Sequence, residues 1–394
     1  MPPAGGDIMN PVRLRRIAFI WCAVAGVLLA LYLARQLRAG LTDGMGHPFG
    51  EDFLNFWSGA RLALTGRAEA VYDLGRFHAF ETGVVGAPID LYHYSYPPVM
   101  WLPSAPFALL PYPLAWALWQ GAGWAAFASA ARRIAPGHGL LLAVALPAVF
   151  INAIGGQNGC WTAAIIGWGL ILIDRRPLLA GAILALFVVK PQLGWLIPVA
   201  LIAARRWRAL FAFVGGAALL LAATLPLYGI ESWLAYARQA AMLKRVILED
   251  GAGTWHRMLS VFVAVRHLGA PVAVAYAAQA VASGAVALTV ALVWRREGAS
   301  DRAKAVLAMG VLAGSLYVSD YDLVMAGLAA VWLWPQAGAW LRLAIAAVIV
   351  TPLVTAPLAM ASGVALGALL LWPMLLGAVF LRHQPLRDRA TPSL

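Results

Sequence analysis

Six short clusters hold most of the side chains in this sequence that could move a proton, grip an anion or bind a sugar. Asp52 follows Gly50-Glu51, and its carboxylate could take a proton from a hydroxyl as a general base, with Glu51 as neighbour and rival. The same Asp precedes Phe53, Phe56, Trp57, Ala60 and Leu64 at helical spacing, so it equally suits an N-cap accepting the Asn55 backbone N–H. Tyr92-His93-Tyr94-Ser95-Tyr96-Pro97-Pro98 crowds aromatic rings with polar tips. Tyr94 and Tyr96 could hold a sugar or a lipid headgroup, although a belt of interfacial aromatics is the plainer account. Gly155-Gly156-Gln157-Asn158-Gly159 is a tight turn in which Gln157 can both donate to and accept from a polyol.

The remaining clusters carry charge. Lys190, before Pro191, sits in the apolar stretch 183–198. An ammonium there must reach water or an anion, which makes it the first candidate for a phosphate contact, with snorkelling as the alternative. His256 and Arg257 could hold a phosphate or shuttle a proton. Asp320 and Asp322, two residues apart, suit a sugar hydroxyl, a metal or a helix cap, with capping by Asp320 the simplest reading.

These groups must be positioned by membrane helices. The chain of 394 residues is 62% hydrophobic and 12% charged, far less charged than the roughly 25% of soluble domains. The apolar runs are long rather than alternating, which predicts an all-α membrane protein: a multi-spanning helical bundle in one integral membrane domain, 1–394. The predicted spans are 17–35, 98–131, 139–154, 160–174, 178–190, 193–204, 209–228, 272–294, 303–319, 322–340, 343–360 and 363–381, within a range of about 10–13 helices. Arg13, Arg15 and Arg16 precede the first span like a signal peptide, but the residues after it make a poor cleavage site, so an uncleaved helix is expected.

Alternating these spans puts most Lys and Arg on one side, including Arg132-Arg133, Arg175-Arg176, Arg205-Arg206 and the tail Arg382–Arg389. Basic loops stay cytoplasmic, so both termini are expected inside and all six chemical clusters outside. The net charge of +12 is thereby explained without nucleic acid. Two outer segments, 36–97 and 229–271, are too long for turns. The first is expected to hold interfacial helices: one after Asp52 ending at Gly66, another capped by Asp73 and running through Phe80 with Gly83 beyond. In the second, 231–249 mixes apolar and basic residues, and 260–267 reads as a short buried or re-entrant helix. Cys22 and Cys160 both lie in apolar spans and suggest no disulfide framework. No His/Cys metal spacing, Walker loop, dinucleotide fingerprint or nucleophile elbow is present in the sequence. No protein metal site or cofactor is expected, a requirement for a divalent metal stays open, and any sugar donor would arrive already activated and dissolved in the membrane.

In order along the chain, Asp52-Phe53 with Trp57, Gly66, Val71-Tyr72-Asp73, Tyr94-Ser95-Tyr96-Pro97-Pro98, Pro106, Leu110-Pro111, Gly156-Gln157-Asn158 and Lys190-Pro191 resemble glycosyltransferase family 87. These are integral membrane enzymes of the GT-C class, whose best-known mycobacterial members use polyprenyl-phosphate mannose. The resemblance implies inverting transfer of a mannose-like hexose or a pentose from a polyprenyl-phosphate donor to a lipid-linked or glycan acceptor, at the outer face of the cell (inner) membrane. It implies an acidic base on the first outer loop, where Asp52 matches. Lys190, Arg257 and His256 would then attend the phosphate, and Gln157, Asn158, Tyr94, Tyr96, Asp320 and Asp322 the sugar or headgroup. One departure stands out: family members often carry Asn-x-Ser in the second outer loop, and this chain has Thr254-Trp255-His256-Arg257-Met258-Leu259-Ser260 there. A flippase for a lipid-linked sugar, and a lipid-glycan polymerase or ligase, are the alternatives.

Overall fold

The computed structural model describes residues 11–365 and 367–381. The tail Arg382–Arg389 and residues 1–10, both expected inside, lie outside the described residues. Among the described residues the fold is helical, with two isolated bridges as the sole β-type pairing, Thr42 with Pro48 and Met258 with Ser319.

The long helix α1 (Pro11–Gln36) leads to an irregular loop and then to α2 (Phe53–Leu64) and α3 (Leu74–Val85). Next come α4 (Trp101–Ala108) and α5 (Tyr112–Ile134), followed by α6 (Gly139–Ala145), α7 (Pro147–Ile154) and α8 (Gly159–Leu172). Then follow α9 (Pro177–Ala185), the single turn α10 (Pro191–Gly194), α11 (Leu196–Ala203) and α12 (Trp207–Leu243). The chain closes with α13 (Val261–His267), α14 (Val272–Glu297), α15 (Asp301–Gly314), α16 (Val324–Leu333), α17 (Ala339–Ser362) and α18 (Gly367–Phe380). Proline opens α5, α7 and α9, where its missing N–H costs no helical hydrogen bond.

Every expected span contains helix. The segments Val12–Gln36, Trp207–Glu249, Val272–Glu297 and Ala339–Ser362 are long and apolar enough to cross a bilayer, and four further stretches are apolar but shorter. Phe19, Phe211 and Leu219 on α1 and α12 are 64–70% exposed, a waste of apolar surface in water but ordinary against lipid. At the centre, α15 and α16 are buried almost all round and pack on each other. The molecule is an all-α membrane protein.

Three expectations are corrected locally. The span 98–131 is broken: α4 ends at Ala108, Leu110-Pro111 turns, and α5 is a separate helix, because Pro111 and Pro113 cannot continue α4. The helix capped by Asp73 runs past Gly83 to Gly86, whose φ of +78° makes the left-handed cap. The span 303–319 loses its helix after Gly314. Two other readings hold. Helix α2 ends just before Gly66, and a non-helical Gly229 (φ 75°, ψ 158°) divides α12 where the span and the outer segment meet.

Candidate active site

The clusters converge on one cavity of about 730 Å³ at one end of the bundle. Its wall includes Glu51, Asp52, Tyr96, Gln157, Lys190, His256, Arg257 and Asp322. Residues from opposite ends of the sequence meet because the loops that carry them share that end.

Asp52 is aimed by a strained turn. Gly50 and Glu51 both have positive φ, 77° and 46°, and a non-glycine residue there carries a steric cost. The Asp52 backbone N–H donates to Gly155 O at 3.3 Å, locking this turn onto the 155–159 turn. The contact is close: a Cβ on Gly156, whose φ is +60°, would lie 1.9 Å from Gly50 O. The Asp52 side chain caps nothing; Asn55 N donates instead to the Asp52 carbonyl at 3.2 Å. Gln157 Nε2 donates to one carboxylate oxygen of Asp52. Burial pushes this carboxyl up to about 6, Arg257 opposing and Glu51 and Asp320 reinforcing the rise. The shift brings this carboxyl toward the neutral range, where proton transfer to and from it costs least.

Glu51 is differently employed. Its carboxylate accepts from Tyr32 Oη, from Gln36 Nε2 at 3.1 Å and from Tyr92 Oη at 2.7 Å. Three donors tie it to α1 and to the aromatic run, so its role is to hold the turn. The Asp52 carboxylate, by contrast, has a single donor among the described residues, Gln157 Nε2.

The cations are paired. Lys190 Nζ lies 2.5 Å from Asp322 Oδ1, 3.3 Å from Asn158 Oδ1 and 4.6 Å from the Tyr321 ring centre, and the residue is only 3% exposed. The ammonium expected to seek a phosphate already has a carboxylate, because the fold brings Asp322 to it. Arg257 forks onto Asp320, Nε to Oδ2 at 3.0 Å and Nη2 to Oδ1 at 3.1 Å, with Tyr321 5.9 Å away. These bonds leave Nη1 unused, and a third of the Arg257 side chain is exposed. Arg257 is thus better placed than Lys190 to receive an anion. The Met258–Ser319 bridge, with Leu259 N donating to Val318 O at 2.9 Å, sets the two strips in register. His256 is pushed below its ordinary value by burial and by Arg257, so near neutral pH it acts as an uncharged donor or acceptor.

Other expected residues stand behind the wall. Tyr94 is fully buried in a cluster with Tyr72, Phe77 and Trp101, where it packs rather than binds. Asn158 links Tyr96 Oη, at 3.1 Å, to Lys190. Asp320 is held by Arg257, and it is Asp322, not Asp320, that accepts the Ser319 backbone N–H at 3.0 Å. Sequence reading missed Tyr321, whose ring neighbours both cations; its place between two acids was the available signal. Tyr236 and Lys244 also line the cavity, from the amphipathic stretch 231–249.

Glu81 was missed as well. It is fully buried on α3, neither carboxyl oxygen has a hydrogen-bond partner among the described residues, and burial pushes it up to about 9. A carboxyl protonated in the folded chain and ionised in the unfolded one favours folding most at low pH, and that contribution is lost as pH rises from the ordinary value through about 9. Thermal melts in detergent between pH 6 and 9.5 are expected to show falling stability. Glu81→Gln, neutral throughout, is expected to flatten the slope; an unchanged slope would assign it to other groups.

The fold and cavity define a helical membrane protein with an acid–cation site at one end. The family model of glycosyltransferase family 87 matches residues 94–320, more than half of the chain. The chain belongs to that family and is a membrane glycosyltransferase. No curated protein and no solved structure matches it. The matched region includes Tyr96, Gln157, Lys190 and Arg257; Asp52 precedes it and joins the site through the Gly155 and Gln157 contacts.

Proposed function

We propose that the protein moves a sugar from a polyprenyl-phosphate donor to a hydroxyl of a lipid-linked or glycan acceptor, with inversion and with Asp52 as general base. The observation that carries this reading is a carboxylate that, among the described residues, has a single side-chain donor and shares a cavity with a guanidinium that has an unused nitrogen. The acceptor oxygen attacks the anomeric carbon and its proton passes to Asp52, while the bond from that carbon to the phosphate oxygen breaks and its electron pair leaves with the phosphate. Arg257 faces the charge growing on the leaving phosphate, and Lys190 holds the Asp322–Asn158 frame beside it. Gln157, Tyr96 and His256 offer hydrogen bonds to sugar hydroxyls. The transferred sugar is a mannose-like hexose or a pentose.

On this proposal the cavity faces the outer side of the cell (inner) membrane and both termini are cytoplasmic. The arginines at the far helix ends, Arg132-Arg133 and Arg175-Arg176, support this orientation. Family membership favours transfer over transport. The test offers the purified protein two donors, a polyprenyl-phosphate hexose and the corresponding nucleotide sugar, with a short lipid-linked acceptor. Transfer from the lipid donor alone, with inverted anomeric configuration in the product, is expected. Use of the nucleotide sugar, or retention of configuration, would overturn the scheme.

A further inference from the structure

A second concavity, of about 590 Å³, lies between α5, α6 and α8. It belongs to the opposite end of the bundle. Tyr112, at the start of α5, donates to Phe49 O beside the candidate site, and Arg132 lies twenty residues further along the same helix. At 1.5 Å per residue that is about 30 Å, the thickness of a bilayer's hydrocarbon core.

The groove has an apolar wall and a basic end. Trp124, Ala128, Leu140 and Trp168 line it, with Arg132 and Arg133 at the end of α5. Both indole N–H groups are already spent: Trp124 Nε1 donates to Ala143 O at 2.9 Å and Trp168 Nε1 to Ser129 Oγ at 2.9 Å. The rings are held in place and have apolar surface left to offer. The two arginines are exposed and, among the described residues, form no ion pair and no hydrogen bond. This is not the habit of every arginine at this end, for Arg206 is paired with Asp174. Arg15 adds a further cation at this end, its Nη2 lying 2.9 Å from Nε2 of His138, which immediately precedes α6.

We propose that this groove binds an anionic glycerophospholipid of the adjoining leaflet, an acyl chain lying along Trp124 and Trp168 and the phosphate held by Arg132 and Arg133. An acyl chain matches the apolar wall, and a phosphodiester matches two unpaired guanidiniums. A zwitterionic lipid carries its own ammonium to the same place and is disfavoured by like charge. The site is independent of the transfer reaction, since none of its residues lies on the catalytic cavity.

Native mass spectrometry of the full chain tests this, with the protein released from micelles containing equal phosphatidylglycerol and phosphatidylcholine. Wild type is expected to retain phosphatidylglycerol with a preference of about tenfold or more, from two guanidiniums each favouring the anionic headgroup. Arg132→Gln/Arg133→Gln is expected to bring the preference near parity, with thermal melting and sugar transfer unchanged. Arg175→Gln/Arg176→Gln, at a neighbouring helix end, is expected to keep it. Location is read in nanodiscs: brominated phosphatidylglycerol is expected to quench wild-type fluorescence more than that of Trp168→Phe. Equal retention of the two lipids by wild type, or a preference that survives in Arg132→Gln/Arg133→Gln, overturns the proposal.

Discussion

Asp52→Asn is expected to lower the turnover of sugar transfer by about 10²–10⁴-fold while the protein remains folded and inserted. The substitution keeps the shape of the side chain, and an Asn side-chain oxygen can still accept from Gln157 Nε2. What it cannot do is take the acceptor's proton. Burial pushes the Asp52 carboxyl up to about 6, so, with Asp52 as base, wild-type turnover is expected to rise with pH through about 6 and level off above it. The Asn variant's residual turnover should lack that rise. Glu51→Gln provides the contrast. Glu51 accepts from Tyr32, Gln36 and Tyr92, and a Gln amide would point N–H groups at some of those donors. Its effect should therefore appear first as a lower melting temperature, with the pH profile of the remaining activity retained. Near-normal turnover of Asp52→Asn in the donor assay would transfer the role of base to another acid.

The second large effect concerns the buried pair. Lys190→Gln is expected to destabilise the protein by roughly 3 kcal/mol, because Asp322 is then left charged and buried without its cation. Asp322→Asn should cost a similar amount for the mirrored reason. The double variant Lys190→Gln/Asp322→Asn removes both charges and keeps two polar amides side by side, so it should recover much of the loss. A double-mutant cycle from denaturant or thermal melts in detergent measures the coupling, expected at the upper end of about 0.5–3 kcal/mol. Activity of the double variant separates two roles. If Lys190 holds the frame around Asn158 and Tyr321, the double variant keeps substantial transfer with donor affinity little changed. If Lys190 itself grips the donor phosphate, stability returns but donor affinity does not. Additive single effects would mean the pair contributes nothing as a pair.

Some of this was legible from residue order alone. The helical membrane class followed from long apolar runs and scarce charge, because a chain crossing hydrocarbon must satisfy its backbone internally. Helix ends were legible where a local device sets them. Gly66 follows the end of α2 and Asp73 caps α3, each through contacts within a few residues. The gathering of the polar clusters was also legible, since alternating spans assign every loop to one of two ends, and Asp52, Gln157, Lys190 and Arg257 do share a wall.

Only the tertiary structure decided how those residues divide the work. Lys190 reads as a free ammonium because its partner lies 132 positions away, and no local pattern announces Asp322 as the group that meets it. Glu51 and Asp52 are adjacent and chemically alike in the sequence. They part company because the Glu51 carboxylate is engaged by donors from α1 and from Tyr92, while among the described residues the Asp52 carboxylate meets Gln157 alone. Tyr94 and Tyr96 stand two residues apart, yet one is sealed among aromatic rings and the other lines the cavity. Residue type and spacing set which chemistry is available near the interface. Burial and partners set which of those groups is ionised, paired or free, and both arise from packing between segments far apart in the chain.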